Sequence, residues 1–206
     1  MRIDHVVLGS RDLERTAERF LEGYGLASVP GGRHAAWGTA NRIVPLGDDY
    51  LEFLAVVDRG IAATSRFGRF LQELTSDGDR WFTVCLADDH IDATAARLGL
   101  DVVPGGRIRP DGIEVRWRAA GLEDPKRDPW LPFFIQWQVA PEAYPGRMPV
   151  EHRVEVGGIA WVEMAGDAAR LRGWLGGPPA TIRVLDGGEP GIRAVGLSSG
   201  DGERVV

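Results

Sequence analysis

Residues 25–33 read Gly-Leu-Ala-Ser-Val-Pro-Gly-Gly-Arg, and residues 99–107 read Gly-Leu-Asp-Val-Val-Pro-Gly-Gly-Arg, identical at seven of nine positions at an offset of 74. A Pro-Gly-Gly turn recurs easily by chance. The same turn preceded by Gly-Leu and followed by Arg does not, so the chain is read as an internal repeat, and a repeat fixes architecture.

The flanks agree with that reading. Before the first copy, residues 3–8 alternate like a strand, and residues 10–24 place Leu13, Ala17, Phe20, Leu21 and Tyr24 at helical spacing. Ser10 or Asp12 is the expected N-cap and Gly25 the stop. Before the second copy, residues 81–86 read as a strand, Asp88 or Asp89 as a cap, and Ile91, Ala95 and Leu98 as an apolar helix face closed by Gly99. After each copy come two more strands, at 39–46 and 50–57 in the first and at 113–119 and 133–138 in the second.

The expected fold class is therefore α+β, built of paired βαβββ modules. The first covers 1–58 and the second 80–140, with a connecting helix in 59–79 marked by Phe67, Phe70, Leu71 and Leu74. Residues 150–206 give a third, shorter βαβββ-like echo: a strand at 159–164, a helix capped by Asp167 and broken at Gly176-Gly177-Pro178-Pro179, and short strands at 182–185, 192–197 and 203–206. This segment is expected to cover the paired modules or to join a homodimer.

Composition excludes several classes. The 206 residues carry a formal charge of −6, which disfavours nucleic acid as a partner. No apolar run reaches the roughly 20 residues that span a bilayer, and the N-terminus leads straight into a strand, so a cytoplasmic location is expected. Cys85 is the only cysteine, which rules out an intrachain disulfide and a thiolate zinc cluster. Cys85 reads as an inert core thiol. Lys126, the only lysine, sits in a charged Pro-containing loop and is a poor Schiff-base candidate. Gly196-Leu197-Ser198-Ser199-Gly200 has the form of a nucleophile elbow, but no helix can follow it and no His lies downstream. It reads as a hairpin turn.

Two stretches resemble a known family. Residues 4–15, Asp-His-Val-Val-Leu-Gly-Ser-Arg-Asp-Leu-Glu-Arg, are similar to the first strand and helix of glyoxalase/bleomycin-resistance/dioxygenase proteins, the vicinal oxygen chelate superfamily. Residues 30–56 resemble a glyoxalase-like branch marked by Gly-Gly-Arg-His, then Gly-Thr-x-Asn, then Tyr-Leu-Glu. The resemblance covers roughly residues 1–140. It implies two curled sheets around one cavity, where catalytic members hold a divalent ion with ligands from the first and last strand of each module.

Tested residue by residue, that metal site is incomplete. His5 and Glu52 stand at ligand positions of the first module, but the second offers Trp81 or Phe82 opposite His5 and only Gln136 opposite Glu52. One His, one Glu and one Gln fall short of a facial triad. The expected cofactor is none, with one divalent ion on His5, Glu52 and Gln136 as the alternative. Without metal, His5 and Glu52 are either a hydrogen-bonded pair or a catalytic acid–base pair.

His34, Trp37, Thr39 and Asn41 cluster after the Gly-Gly turn, and with Trp117, Phe134 and Gln136 they are the expected substrate-binding residues. Seven tryptophans, Trp117, Trp130 and Trp137 among them, suit an aromatic-walled pocket. The expected partner is a small oxygenated organic molecule and the expected function an isomerase or lyase on it. Non-catalytic sequestration, as in resistance proteins, is the rival, and a metal-dependent dioxygenase is the third reading.

Overall fold

A computed structural model describes residues 1–124, 127–177, 181–200 and 202–206; Lys126 and the Pro178-Pro179 helix break lie outside the described residues. The first half runs β1 (Arg2–Gly9), α1 (Leu13–Tyr24), β2 (Val29–His34), β3 (Thr39–Pro45) and β4 (Tyr50–Val56). Where one connecting helix is expected there are two, α2 (Arg59–Thr64) and α3 (Arg66–Leu74), because Ser65 ends the first and caps the second by accepting from the Gly68 N–H. The second half runs β5 (Arg80–Ala87), α4 (Ile91–Leu98), β6 (Val102–Ile108), β7 (Glu114–Ala120) and β8 (Phe133–Trp137).

The repeated Gly-Leu is a helix stop in both halves. Gly25 and Gly99 sit at φ 73° and 67°, the left-handed region that costs glycine nothing, and their N–H groups return to the last helical carbonyls. The helix starts differ. Asp12 caps α1 by accepting from the Glu14 and Arg15 N–H groups. The expected Asp88 or Asp89 cap of α4 is displaced: the cap position falls on His90, without a side-chain bond, while Asp88 accepts from the His90 N–H at 2.9 Å.

Eight strands form one curled sheet in the order β2-β3-β4-β1-β5-β8-β7-β6. β1 and β5 meet antiparallel at its centre, while β4 joins β1 and β8 joins β5 in parallel. These registers decide which side chains share a face. His5 is opposite Cys85 and Tyr50; Val7 is opposite Thr83 and Glu52; Cys85 is opposite Phe133 and Ala87 opposite Ile135. Directly paired residues point the same way, so these side chains belong to the concave face.

Two apolar layers result. On the convex face Val6, Leu8, Phe53, Leu86 and Phe134 pack with Phe20 of α1 and Ile91 of α4. On the concave face Val7, Leu54, Phe82, Trp117, Phe133 and Ile135 pack with Phe67 and Leu71 of α3. Phe53 and Phe134 are fully buried, each worth about 2–3 kcal/mol of transfer free energy.

Residues beyond 150 form β9 (Ile159–Gly166), α5 (Ala168–Leu175), β10 (Ile182–Ser199) and β11 (Gly202–Val205) in a separate three-stranded sheet. The separate short strands expected at 182–185 and 192–197 are limbs of one long β10. Both limbs pair with β9, so that Val162 is partnered by Ile182 and by Val195, and the register breaks between Gly187 and Gly191. Ser198 lies in this strand with its hydroxyl donating to Gly158 O at 3.1 Å, and a hairpin turn follows it. This segment is tied to the first half. His152 Nδ1 accepts from the Ala27 N–H, its Nε2–H donates to Pro45 O, and the Asp49 carboxylate accepts from the Ile159 N–H. Burial pushes that Asp49 carboxyl up to about 6.

Candidate functional site

The concave face encloses a narrow cavity lined by side chains from both halves of the sheet, mostly apolar with a few polar groups, the lining expected of a small-molecule site. His5 enters it from β1. The β1–β5 register shifts between Ile3 and His5, so strict alternation fails there: Ile3 belongs to the convex layer, while Asp4 comes to lie beside the ring of its own neighbour. His5 Nδ1 is 2.7 Å from Asp4 Oδ1. Asp4 is fully buried, and its Oδ2 accepts from Trp137 Nε1–H at 2.9 Å and from the Tyr144 hydroxyl at 3.1 Å. A carboxylate with three donors is a satisfied acceptor, which fixes the proton of His5 on Nδ1.

The other ring nitrogen, Nε2, faces Glu52 Oε2 at 3.4 Å. The imidazole lies flat on Tyr50, centroids 4.5 Å apart, with Phe133 edge-on at 5.7 Å. Burial, with the charges of Asp4 and Glu52 adding to it, holds the Tyr50 hydroxyl well above its ordinary value, so Tyr50 stays a neutral phenol. Glu52 Oε1 accepts from Asn41 Nδ2 at 2.5 Å, and Asn41 Oδ1 accepts from Arg107 Nη1 at 2.6 Å. The amide orientation follows from having a carboxylate on one side and a guanidinium on the other. The result is one continuous chain of polar contacts, Asp4–His5–Glu52–Asn41–Arg107, across both halves of the sheet.

Of the residues expected in the pocket, His5, His34, Trp37, Asn41, Glu52 and Trp117 line this cavity. Thr39 is buried behind it, its hydroxyl 3.1 Å from His34 Nδ1. Burial pushes His34 down to about 4, Arg107 pressing in the same direction and Glu52 against it, so near neutral pH it is an uncharged ring, tilted against Trp37 at 5.2 Å. Gln136 and Phe134 are not brought into the cavity. Leu86 is opposite Phe134 in the parallel register, which puts the even positions of β8 on the convex side. There Phe134 stacks on Trp174 at 6.2 Å, while Gln136 donates to Asp89 O and accepts from Arg118. Phe133, Ile135 and Trp137 take the cavity positions instead.

Sequence reading passed over Asp4, Tyr144 and Arg107. Asp4 looked like an outward residue of an alternating strand. Arg107 served only as a marker of the repeat; it stands next to the end of β6 between Gly106 and Ile108, where no local pattern signals its burial.

The donors present do not fit a divalent ion. Facing His5 and Glu52 from the second half are Thr83, Phe133 and Ile135, Gln136 points away, and Glu52 Oε1 is engaged by Asn41. A second grouping, Asp4, His5 and Cys85, is compact and buried. Both oxygens of that Asp4 carboxylate, however, already face hydrogen-bond partners, His5 on one side and Trp137 and Tyr144 on the other.

With this geometry established, comparison with known proteins gives the family. A model described as glyoxalase-like domain matches residues 3–176, and the chain belongs to that family. Among solved structures, a Staphylococcus aureus protein described as hypothetical shares the fold at TM-score 0.76 and 17% identity, over 96% of this chain and 91% of that one. Methylmalonyl-CoA epimerases from Mycobacterium tuberculosis (TM-score 0.47, 19% identity, 68% of this chain and 89% of that one) and Streptomyces coelicolor (0.49, 20%, 68% and 99%) are more distant. No curated protein matches the sequence.

Proposed function

We propose that this protein is an isomerase or lyase that moves a proton on a small oxygenated organic molecule, with His5 and Glu52 as one acid–base unit. The observation that carries it is the orientation of His5: Nδ1 is committed to a buried, triply satisfied Asp4, and Nε2 is left facing Glu52 on the cavity wall. With the ring proton held on Nδ1, Nε2 or the adjacent Glu52 Oε2 can take a proton from a C–H beside a carbonyl, carry it, and return it to the same or the adjacent carbon. Tyr50 keeps the ring plane, and Phe82, Phe133 and Ile135 make the site apolar, which strengthens the electrostatics of the transfer.

The test is exchange of C–H for C–D in D₂O followed by proton NMR, using 2-oxo-4-phenylbutanoate and the neutral ketone 4-phenylbutan-2-one. Exchange above the buffer rate, lost in Glu52→Gln and His5→Asn, supports the reading. Tight binding of either compound with exchange at the buffer rate favours sequestration, for which the aromatic wall of Trp37, Trp117 and Trp137 is sufficient.

A further inference from the structure

Arg107 is the one cationic side chain on the cavity wall among the described residues, and its setting is unusual. Arg107 is 6% exposed. A guanidinium this buried normally pairs with a carboxylate, because an unpaired charge in such a place has a steep desolvation cost. Among the described residues the side-chain partner of Arg107 is a neutral amide, through Nη1 to Asn41 Oδ1. The Glu52 carboxylate lies on the far side of that amide. Asn41 therefore separates cation from anion, and the guanidinium lines the cavity without an ion pair to a carboxylate among the described residues.

The backbone is shaped to admit this side chain. A Cβ on Gly31 would stand 2.6 Å from Arg107 Nη1 and 2.3 Å from Asn41 Oδ1, and the φ of Gly32 is 148° with the Arg107 chain 3.3 Å from where its Cβ would be. The Gly-Gly of the first module is thus a cradle for an arginine of the second. The matching space at Gly105 is filled by the Trp117 indole, 2.3 Å from where a Cβ would be, and the matching Arg33 is exposed to solvent.

We infer that the ligand is a monoanion, a small carboxylate with an apolar or aromatic body, whose carboxylate is bound by Arg107. This rests on the reading of the cavity as a small-molecule site and names the substrate class for it. Charge also fixes the orientation. The carboxylate is attracted to the Arg107 end and repelled from Glu52, so a carbon near the carboxylate is presented to the His5–Glu52 pair while the body lies among Trp37, Phe67 and Trp117. Neutral His34 adds no competing cation near neutral pH.

The experiment is binding followed by quenching of the cavity tryptophans, with 2-oxo-4-phenylbutanoate and its neutral counterpart 4-phenylbutan-2-one as probes. One charge-assisted hydrogen-bonded contact predicts that the wild type prefers the carboxylate by about 10- to 100-fold. Arg107→Met, checked by thermal unfolding to be folded, should bring the two affinities together, Arg107→Lys should retain part of the preference, and Arg33→Gln should retain all of it. A preference that survives Arg107→Met, or a wild type that binds both probes equally, overturns the inference while leaving the cavity a binding site. Failure of the wild type to bind either probe overturns the cavity reading with it. Should Arg107→Met not fold, the wild-type preference and the graded loss in Arg107→Lys decide the matter.

Discussion

The two modules repeat the same Val-Pro-Gly-Gly-Arg turn and use it for opposite ends. In the first, Arg33 is exposed, and Asn41 and Glu52 bring polarity to the cavity. In the second, Arg107 is buried, and Trp117, Phe133 and Ile135 bring apolar surface. The difference begins with a register shift: the β2–β3 ladder skips Gly31 between Pro30 and Gly32, so Arg33 pairs with Ala40 on the face away from the cavity, whereas the unbroken β6–β7 ladder pairs Arg107 with Val115 on the cavity face. Asn41 lies beside Gly32 in the first module, and Trp117 lies beside Gly105 in the second. Asn is small enough to leave room above the glycines for an arginine from across the cleft; the Trp indole fills the equivalent room itself. On the function we propose, the first module performs the chemistry and the second mainly holds the ligand.

The glycines offer the sharpest way to break this comparison. Gly31→Ala and Gly105→Ala each force a side chain to move, and each should cost about 1–3 kcal/mol in denaturant unfolding. Gly31→Ala should in addition abolish the carboxylate preference, since the displaced groups are Asn41 and Arg107, whereas Gly105→Ala displaces Trp117 and should weaken both probes alike. Equal ligand effects from the two variants would mean that the asymmetry is not functional.

Glu52→Gln retains an oxygen for Asn41 but cannot take up a proton, so exchange should fall by about 100-fold or more with little change in melting temperature. Glu52→Leu should likewise remain folded while losing exchange. A Glu52→Leu protein that unfolds readily yet binds its probe unchanged would make Glu52 structural.

His34 supplies a smaller, pH-dependent effect. Its folded value of about 4 lies below the ordinary 6.5, so the unfolded chain takes up a proton between those values that the native cavity refuses. Stability from this group is present above pH 6.5 and is lost as pH falls toward 4, by on the order of 3 kcal/mol at most. Asp49, raised to about 6, acts in the opposite sense over much of the same window, because the folded protein keeps its proton where the unfolded chain has lost it. His34→Gln should therefore lose less stability than wild type between pH 6.5 and 4 in urea titrations. Parallel profiles would place His34 in water. Smallest of all, Arg33→Gln should change stability by no more than about 0.5 kcal/mol.

How much of this could be read from sequence follows from where the periodicities hold. The repeat gave the strand-helix-stop order because Gly-Leu after an amphipathic helix has a single local meaning. Asn41, Glu52 and Trp117 were legible because they lie on strands with regular alternation, and His5, His34 and Trp37 because of their residue types on the first strand and just after the Gly-Gly turn. Asp4 was not, because a register shift next to His5 cancels the alternation rule there. The facing of β8 was not legible either: Phe133 to Trp137 is apolar at every position but one, so parity has nothing to choose between, and the face is set by pairing with Cys85 and Leu86. Arg107 depends on the size of Asn41, a contact 66 residues away that no local pattern encodes.

The division of labour is tested most directly by steady-state exchange kinetics on 2-oxo-4-phenylbutanoate for wild type, Glu52→Gln, Arg107→Met and the double variant. Chemistry on the first module and holding by the second predict that Glu52→Gln lowers kcat with KM nearly unchanged, that Arg107→Met raises KM by about 10- to 100-fold with kcat nearly unchanged, and that the double variant combines the two. Loss of kcat alone in both single variants, or a KM increase alone in both, would contradict the account.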